Sequence, residues 1–156
     1  MLLSKVSIPD ANIHRVKGEE DPGSEAKRYE ESLRIFFGIP GVPSFDLIIL
    51  GAGGDGHTAS LFPGSPVLQE TMRLVSPVYL ERPKRDRVTL TLPVLNEASH
   101  ILFLASGQAK ADVVSEIVER NNPQQYPAGL VRPATGEVVW FIDREAAEKL
   151  RAPIRS

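Results

Sequence analysis

Apolar residues recur along the chain with two alternating periods, one helical and one strand-like. From Ser24 to Phe37 they fall at Ala26, Tyr29, Leu33, Phe36 and Phe37. That spacing predicts a helix, with Pro22 and Gly23 before it and Gly38 after it, and its aromatics belong to the core. Phe45 to Leu50 is short, apolar and bounded by turn residues, which predicts a strand buried on both faces of a parallel sheet. Val88 to Leu92 alternates Thr with aliphatic residues and reads as another strand, and Ile101 to Ala105 as a more buried one. Val113, Val114, Ile117 and Val118 form an inward helical stripe, and Val138 to Ile142 makes a last strand before a helix over Asp143–Leu150. Strands alternating with helices predict an α/β fold, a mostly parallel sheet flanked by helices. Proline and glycine are spread among the connections, with no interdomain linker, so residues 1–156 read as a single α/β domain. Trp140 is most simply core, and His14 and His100 have no convergent partner in the sequence and read as structural.

The chemistry concentrates after Leu50. In Gly51-Ala-Gly53-Gly54-Asp55-Gly56-His57, four glycines can bring backbone amides close to a ligand and take positive φ. In open α/β sheets ligands collect beyond the carboxyl ends of strands, where Asp55 and His57 stand. Gly51, Gly53 and Gly56 match the dinucleotide pattern formally, but Pro63 interrupts the helix that should follow, and no clean strand–helix–strand unit with a trailing acid is present. The nucleoside-triphosphate loop is rejected because Gly56-His57-Thr58 replaces its Lys and Ser or Thr.

Composition narrows the class only mildly. A chain of 156 residues is long enough for a real core, and a net charge of -2 with 24% charged residues favours neither nucleic acid nor an anionic membrane. The absence of cysteine removes thiolate chemistry and fits a reducing, cytoplasmic setting. No apolar run is long enough for a spanning helix, and residues 1–12 lack a signal-peptide core. Metal ligation is not expected: there is no Cys and no H-x-x-x-H spacing, and only Asp55 beside His57 offers a ligand pair. No cofactor is expected either, and oligomeric state is not legible.

Gly51 to Pro66, G-A-G-G-D-G-H-T-A-S-L-F-P-G-S-P, resembles the signature of the 6-phosphogluconolactonases. The likeness continues through Leu2–Val6, Ile8-Pro9 and Asn12–His14 upstream and Arg87–Asn96 downstream. It extends to Gly107 with Lys110-Ala111, Pro127-Ala128, and Trp140–Asp143 with Ala146-Ala147. The glucosamine-6-phosphate deaminases share the Gly-x-Asp-Gly-His core but differ where this chain has Ser60-Leu61-Phe62-Pro63. The resemblance implies a Rossmann-like, NagB-like sheet and hydrolysis of 6-phospho-D-glucono-1,5-lactone to 6-phosphogluconate in the pentose phosphate pathway. It also places Met1 at an internal family position. The family's N-terminal part, with a Gly-Gly-Ser phosphate loop and an Asp-Glu-Arg segment, is then expected to be missing, leaving an exposed sheet edge.

Lactone hydrolysis needs a base for water, donors for the carbonyl oxygen as it becomes anionic, and an acid for the leaving ring oxygen. Imidazole titrates near neutrality and can serve as base and then acid, which nominates His57. Asp55 is expected to orient His57 or to accept substrate hydroxyls. The Gly53, Gly54 and Gly56 amides can form an anion-binding nest. Arg87 and Lys110 are expected to contact the phosphate, the first as a planar fork and the second as a point charge at a predicted helix start. Arg82, Lys84 and Arg85 form a basic loop of solvated charges.

Overall fold

The computed structural model describes residues 5–80, 86–119 and 125–151; Arg82, Lys84, Arg85 and the Leu2–Ser4 match lie outside them. Helix α1, Pro22–Phe37, starts at Pro22, one turn-residue pair earlier than the periodicity suggests. Its N-cap Asp21 accepts the Ser24 N–H at 2.8 Å, and proline fits the first helical position because its missing N–H has no partner there anyway. Gly38 ends the helix in the left-handed region at φ 63°. Ala26 and Leu33 are buried, but Phe36 is 63% exposed, so the expectation of a fully core aromatic set is corrected. Phe36 instead packs edge-on against His14 and Phe37 on the surface.

Three strands build the main sheet in the order β1 (Ile48–Gly51), β4 (His100–Ala105), β5 (Glu137–Ile142), all parallel. Between β1 and β4 the chain forms an antiparallel pair, β2 (Val75–Val78) and β3 (Arg87–Leu90), and a short helix α2, Leu92–Asn96. The strand expected over Val88–Leu92 therefore stops at Leu90, because Thr91 turns into α2 and its hydroxyl donates to the Arg73 carbonyl at 2.7 Å. Helix α3, Ala111–Val118, makes the crossover from β4 to β5. Val113, Val114 and Ile117 face inward as expected, whereas Val118 is exposed.

Period-2 alternation divides the sheet into two faces. Ile48, Leu50, Ile101 and Phe103 point into the core beneath α3, where Trp140 stacks on Phe103 at 4.2 Å. On the other face Leu47, Ile49, Leu104, Val139 and Phe141 are exposed. This corrects the expectation that the first strand is buried on both faces: among the described residues β1 pairs only with β4, and it alternates buried and exposed, with Ile49 58% exposed. Among the described residues β1 stands at one edge of the sheet. A second apolar cluster joins α1 to the antiparallel pair through Ala26, Leu33, Leu74, Val75 and Val94, with Phe45 and Leu90 packed against both clusters.

After β5, the segment expected as a helix over Asp143–Leu150 forms turns. Its amides mix an i−4 bond, Ala147 to Asp143, with i−3 bonds, Glu148 to Glu145 and Leu150 to Ala147, so no regular helical ladder develops. Among the described residues no helix is long and apolar enough to cross a membrane.

Candidate active site

The chain leaves β1 at Gly51 and doubles back on itself. Thr58 Oγ1 donates to the Gly51 carbonyl at 2.8 Å, and the Gly53 N–H donates to the His57 carbonyl at 2.8 Å. Inside this loop Asp55 Oδ1 accepts the His57 backbone N–H at 3.1 Å and lies 2.5 Å from His57 Nδ1. With Nδ1–H donated to the carboxylate, the lone pair of the ring lies on Nε2. The His57 side chain is 34% exposed and leans on the Phe62 ring, with centroids 4.6 Å apart. Burial of the Asp55 carboxyl works against its ionisation, but the backbone and ring N–H groups of His57 outweigh it and hold the Asp55 pKa below the ordinary value.

Of the glycines in this run, which the sequence leaves free to take positive φ, only Gly56 does so, at φ 78°. Gly53 is required for space instead, since a Cβ there would lie 2.1 Å from His57 Nδ1 and 2.5 Å from Asp55 Oδ1. A Cβ on Gly56 would meet the Tyr126 ring at 2.3 Å. The Gly53 and Gly56 amides are committed to bonds within the loop, the latter to the Gly53 carbonyl at 3.0 Å. Gly54 N–H, exposed at the loop tip, has no partner among the described residues. Ala59, just beyond, holds φ 48°, the one non-glycine residue with positive φ among those described.

Neighbouring segments brace this loop. The Ala128 N–H donates to the Gly56 carbonyl at 2.9 Å, in the turn that carries Tyr126. After β4, the Gly107–Lys110 turn closes with the Lys110 N–H on the Gly107 carbonyl at 3.0 Å, and the Ala109 carbonyl lies 3.5 Å from where a Gly54 Cβ would stand. Lys110 is therefore carried next to the Asp55–His57 loop. Arg87 lies on the other sheet: Ser60 N–H donates to Thr89 Oγ1 at 3.2 Å, tying β3 to the loop, and Arg87 stands two positions earlier on the same strand face. Its guanidinium donates to the Asp86 carbonyl at 3.0 Å, and neither it nor Lys110 bonds the Asp55–His57 pair.

One residue at this rim escaped the sequence reading. Asp143, at the end of β5, accepts the Gly107 N–H at 2.9 and 3.1 Å and the Ala146 N–H at 2.8 Å. Its position directly after an apolar strand was the available signal. His100 Nδ1 bonds the Asp46 carbonyl at 3.0 Å, at the opposite end of the sheet. A cleft of about 480 Å³ lined by Ser65, Thr71 and Tyr79 includes neither Asp55 nor His57, which sit on an open rim. Among the described residues no three His, Cys, Asp or Glu side chains are grouped to hold a metal ion.

A parallel α/β sheet carries a carboxylate–imidazole pair on the glycine-rich loop beyond its first strand, at the carboxyl edge where ligands collect in sheets of this class. The chain belongs to the family of glucosamine-6-phosphate isomerases and 6-phosphogluconolactonases, whose family model matches residues 1–140. It is 44% identical to human 6-phosphogluconolactonase over 153 residues, 97% of this chain and 59% of that protein. The solved structure of devB protein superposes with a TM-score of 0.85 at 36% identity, covering 95% of this chain and 63% of that one. The 6-phosphogluconolactonase from Trypanosoma cruzi gives 0.75 at 32% identity, covering 97% and 57%. The chain spans about three fifths of the length of these relatives.

Proposed function

We propose that this chain carries the hydrolytic centre of a 6-phosphogluconolactonase and opens 6-phospho-D-glucono-1,5-lactone to 6-phosphogluconate. The observation that carries the reading is the Asp55–His57 pair, 2.5 Å apart, with Nε2 of a part-exposed imidazole left to act. Nε2 takes a proton from water as the oxygen attacks the lactone carbonyl. Asp55, ionised and bonded to Nδ1, orients the ring and stabilises the imidazolium that forms. The carbonyl oxygen becomes anionic and is met by the Gly54 N–H, the amide of the nest with no internal partner. The bond from the carbonyl carbon to the ring oxygen then breaks, and the imidazolium returns its proton to that oxygen. Lys110 and Arg87 hold the phosphate, and Gly53 and Gly56 shape the loop.

This reading places the reaction in the pentose phosphate pathway and the protein in the cytoplasm, with no cofactor and one α/β domain. The family also contains isomerases of amino sugar phosphates, so the runner-up is a glucosamine-6-phosphate deaminase. A phosphosugar-binding role without turnover is the non-enzymatic alternative.

The deciding experiment measures lactone hydrolysis by wild type and His57→Ala, with spontaneous hydrolysis subtracted and glucosamine 6-phosphate as second substrate. The expected result is lactone turnover that falls roughly 10²–10⁴-fold in the variant. A folded wild type that binds 6-phosphogluconate without turning over either substrate would overturn the enzymatic reading.

A further inference from the structure

We infer that Asp143 is a positioning residue for Lys110, holding the Gly107–Lys110 turn so that the ammonium meets the phosphate of the ligand. The inference rests on the preceding reading for the role of Lys110. Asp143 accepts two N–H groups with one carboxylate, and the Gly107 N–H, shared between both oxygens, reaches across 36 residues, from the end of β5 to the end of β4. A side chain that only capped its own turn would need the Ala146 bond alone. Gly107 stands at φ 86°, a conformation open to glycine, and its carbonyl accepts the Lys110 N–H at 3.0 Å. Two successive hydrogen bonds therefore connect the carboxylate to the Lys110 backbone.

Charge supports the same assignment. Among the described residues the Lys110 ammonium has no ion-pair partner, while Asp112, two residues on, is taken by Lys149 at 2.5 Å. Asp143 sits at the same rim, but its carboxylate is bonded to the Gly107 and Ala146 amides and makes no ion pair with Lys110 among the described residues. An ammonium left uncompensated on a braced turn next to the Asp55–His57 loop suits a dianionic phosphate.

The test is a double-mutant cycle with Asp143→Ala and Asp143→Asn, each made in wild type and in Lys110→Ala, reading 6-phosphogluconate affinity by calorimetry alongside KM and kcat for the lactone. Asp143→Ala is expected to weaken 6-phosphogluconate binding and raise KM by roughly tenfold, with kcat changed far less. Asp143→Asn, which keeps one acceptor oxygen and the shape of the side chain, recovers part of the affinity. In the Lys110→Ala background neither change weakens binding further. Equal weakening in both backgrounds, no weakening in either, or a wild type that does not bind 6-phosphogluconate would each overturn the inference. Coupled binding without lactone turnover would sink the hydrolase reading and leave this one supported.

Discussion

At the residue scale, the site depends on a backbone that approaches its own side chains. Gly53 lies so close to the Asp55–His57 pair that a methyl group there would stand 2.1 Å from the imidazole, inside any tolerable contact. On the proposed hydrolase reading, Gly53→Ala is therefore expected to remove most lactone turnover while the far-ultraviolet circular dichroism stays that of wild type. A variant with both spectrum and turnover intact would show that the loop gives way at no cost. This part of the site was legible because Asp55 and His57 are two residues apart and the glycines lie between and beside them, so local sequence holds the whole arrangement. Which glycine matters, and for what reason, was not legible. Gly53 is needed for space and Gly56 for both space and φ, and the space requirements depend on where the His57 and Tyr126 rings come to rest.

At the element scale, α1 clamps the extended segment before it. Glu25 is 2% exposed; it accepts the Lys17 N–H at 2.8 Å and two N–H bonds from Arg28, each at 2.6 Å. Arg28 also donates to the Arg15 carbonyl, and the Tyr29 hydroxyl to the His14 carbonyl. Hydrogen bonding by Arg28 overcomes the burial of Glu25 and lowers its pKa from 4.5 to about 2. A carboxyl depressed on folding stabilises the fold fully above its unfolded value and loses that contribution as pH falls towards the folded one. Glu25→Gln is thus expected to lower stability by about 1–3 kcal/mol at pH 7. In urea titrations the gap to wild type should close between pH 4.5 and about 2; a gap that is constant over that range would refute the account. The period of α1 was plain in the sequence, and so were its proline and glycine bounds. That a glutamate in its first turn would be buried was not, because the partners that make burial tolerable are the Lys17 N–H and an Arg28 side chain that is itself anchored on the Arg15 carbonyl.

At the scale of the whole molecule, α3 covers one face of the parallel sheet, and among the described residues the other face is bare. Ile49 and Phe141, 58% and 62% exposed, lie on that bare face with Leu47, Leu104 and Val139. Parallel sheets are normally covered on both faces, and a large exposed apolar patch promotes association. Sedimentation velocity is expected to show concentration-dependent self-association of this chain that the paired substitutions Ile49→Lys and Phe141→Lys reduce. Thermal stability should change little, since both side chains are already in water. A wild type that stays monomeric over the accessible range would contradict this. The sequence by itself determined the α/β class, the helical and strand periods and the Asp–His loop, because each is encoded in residues near one another. Only the tertiary structure decided which face of β1 is covered, that residues 143–150 form turns, and that Asp143 holds Gly107. Those outcomes depend on contacts between segments tens of residues apart, and neither period nor propensity records which segment will arrive on which side of the sheet.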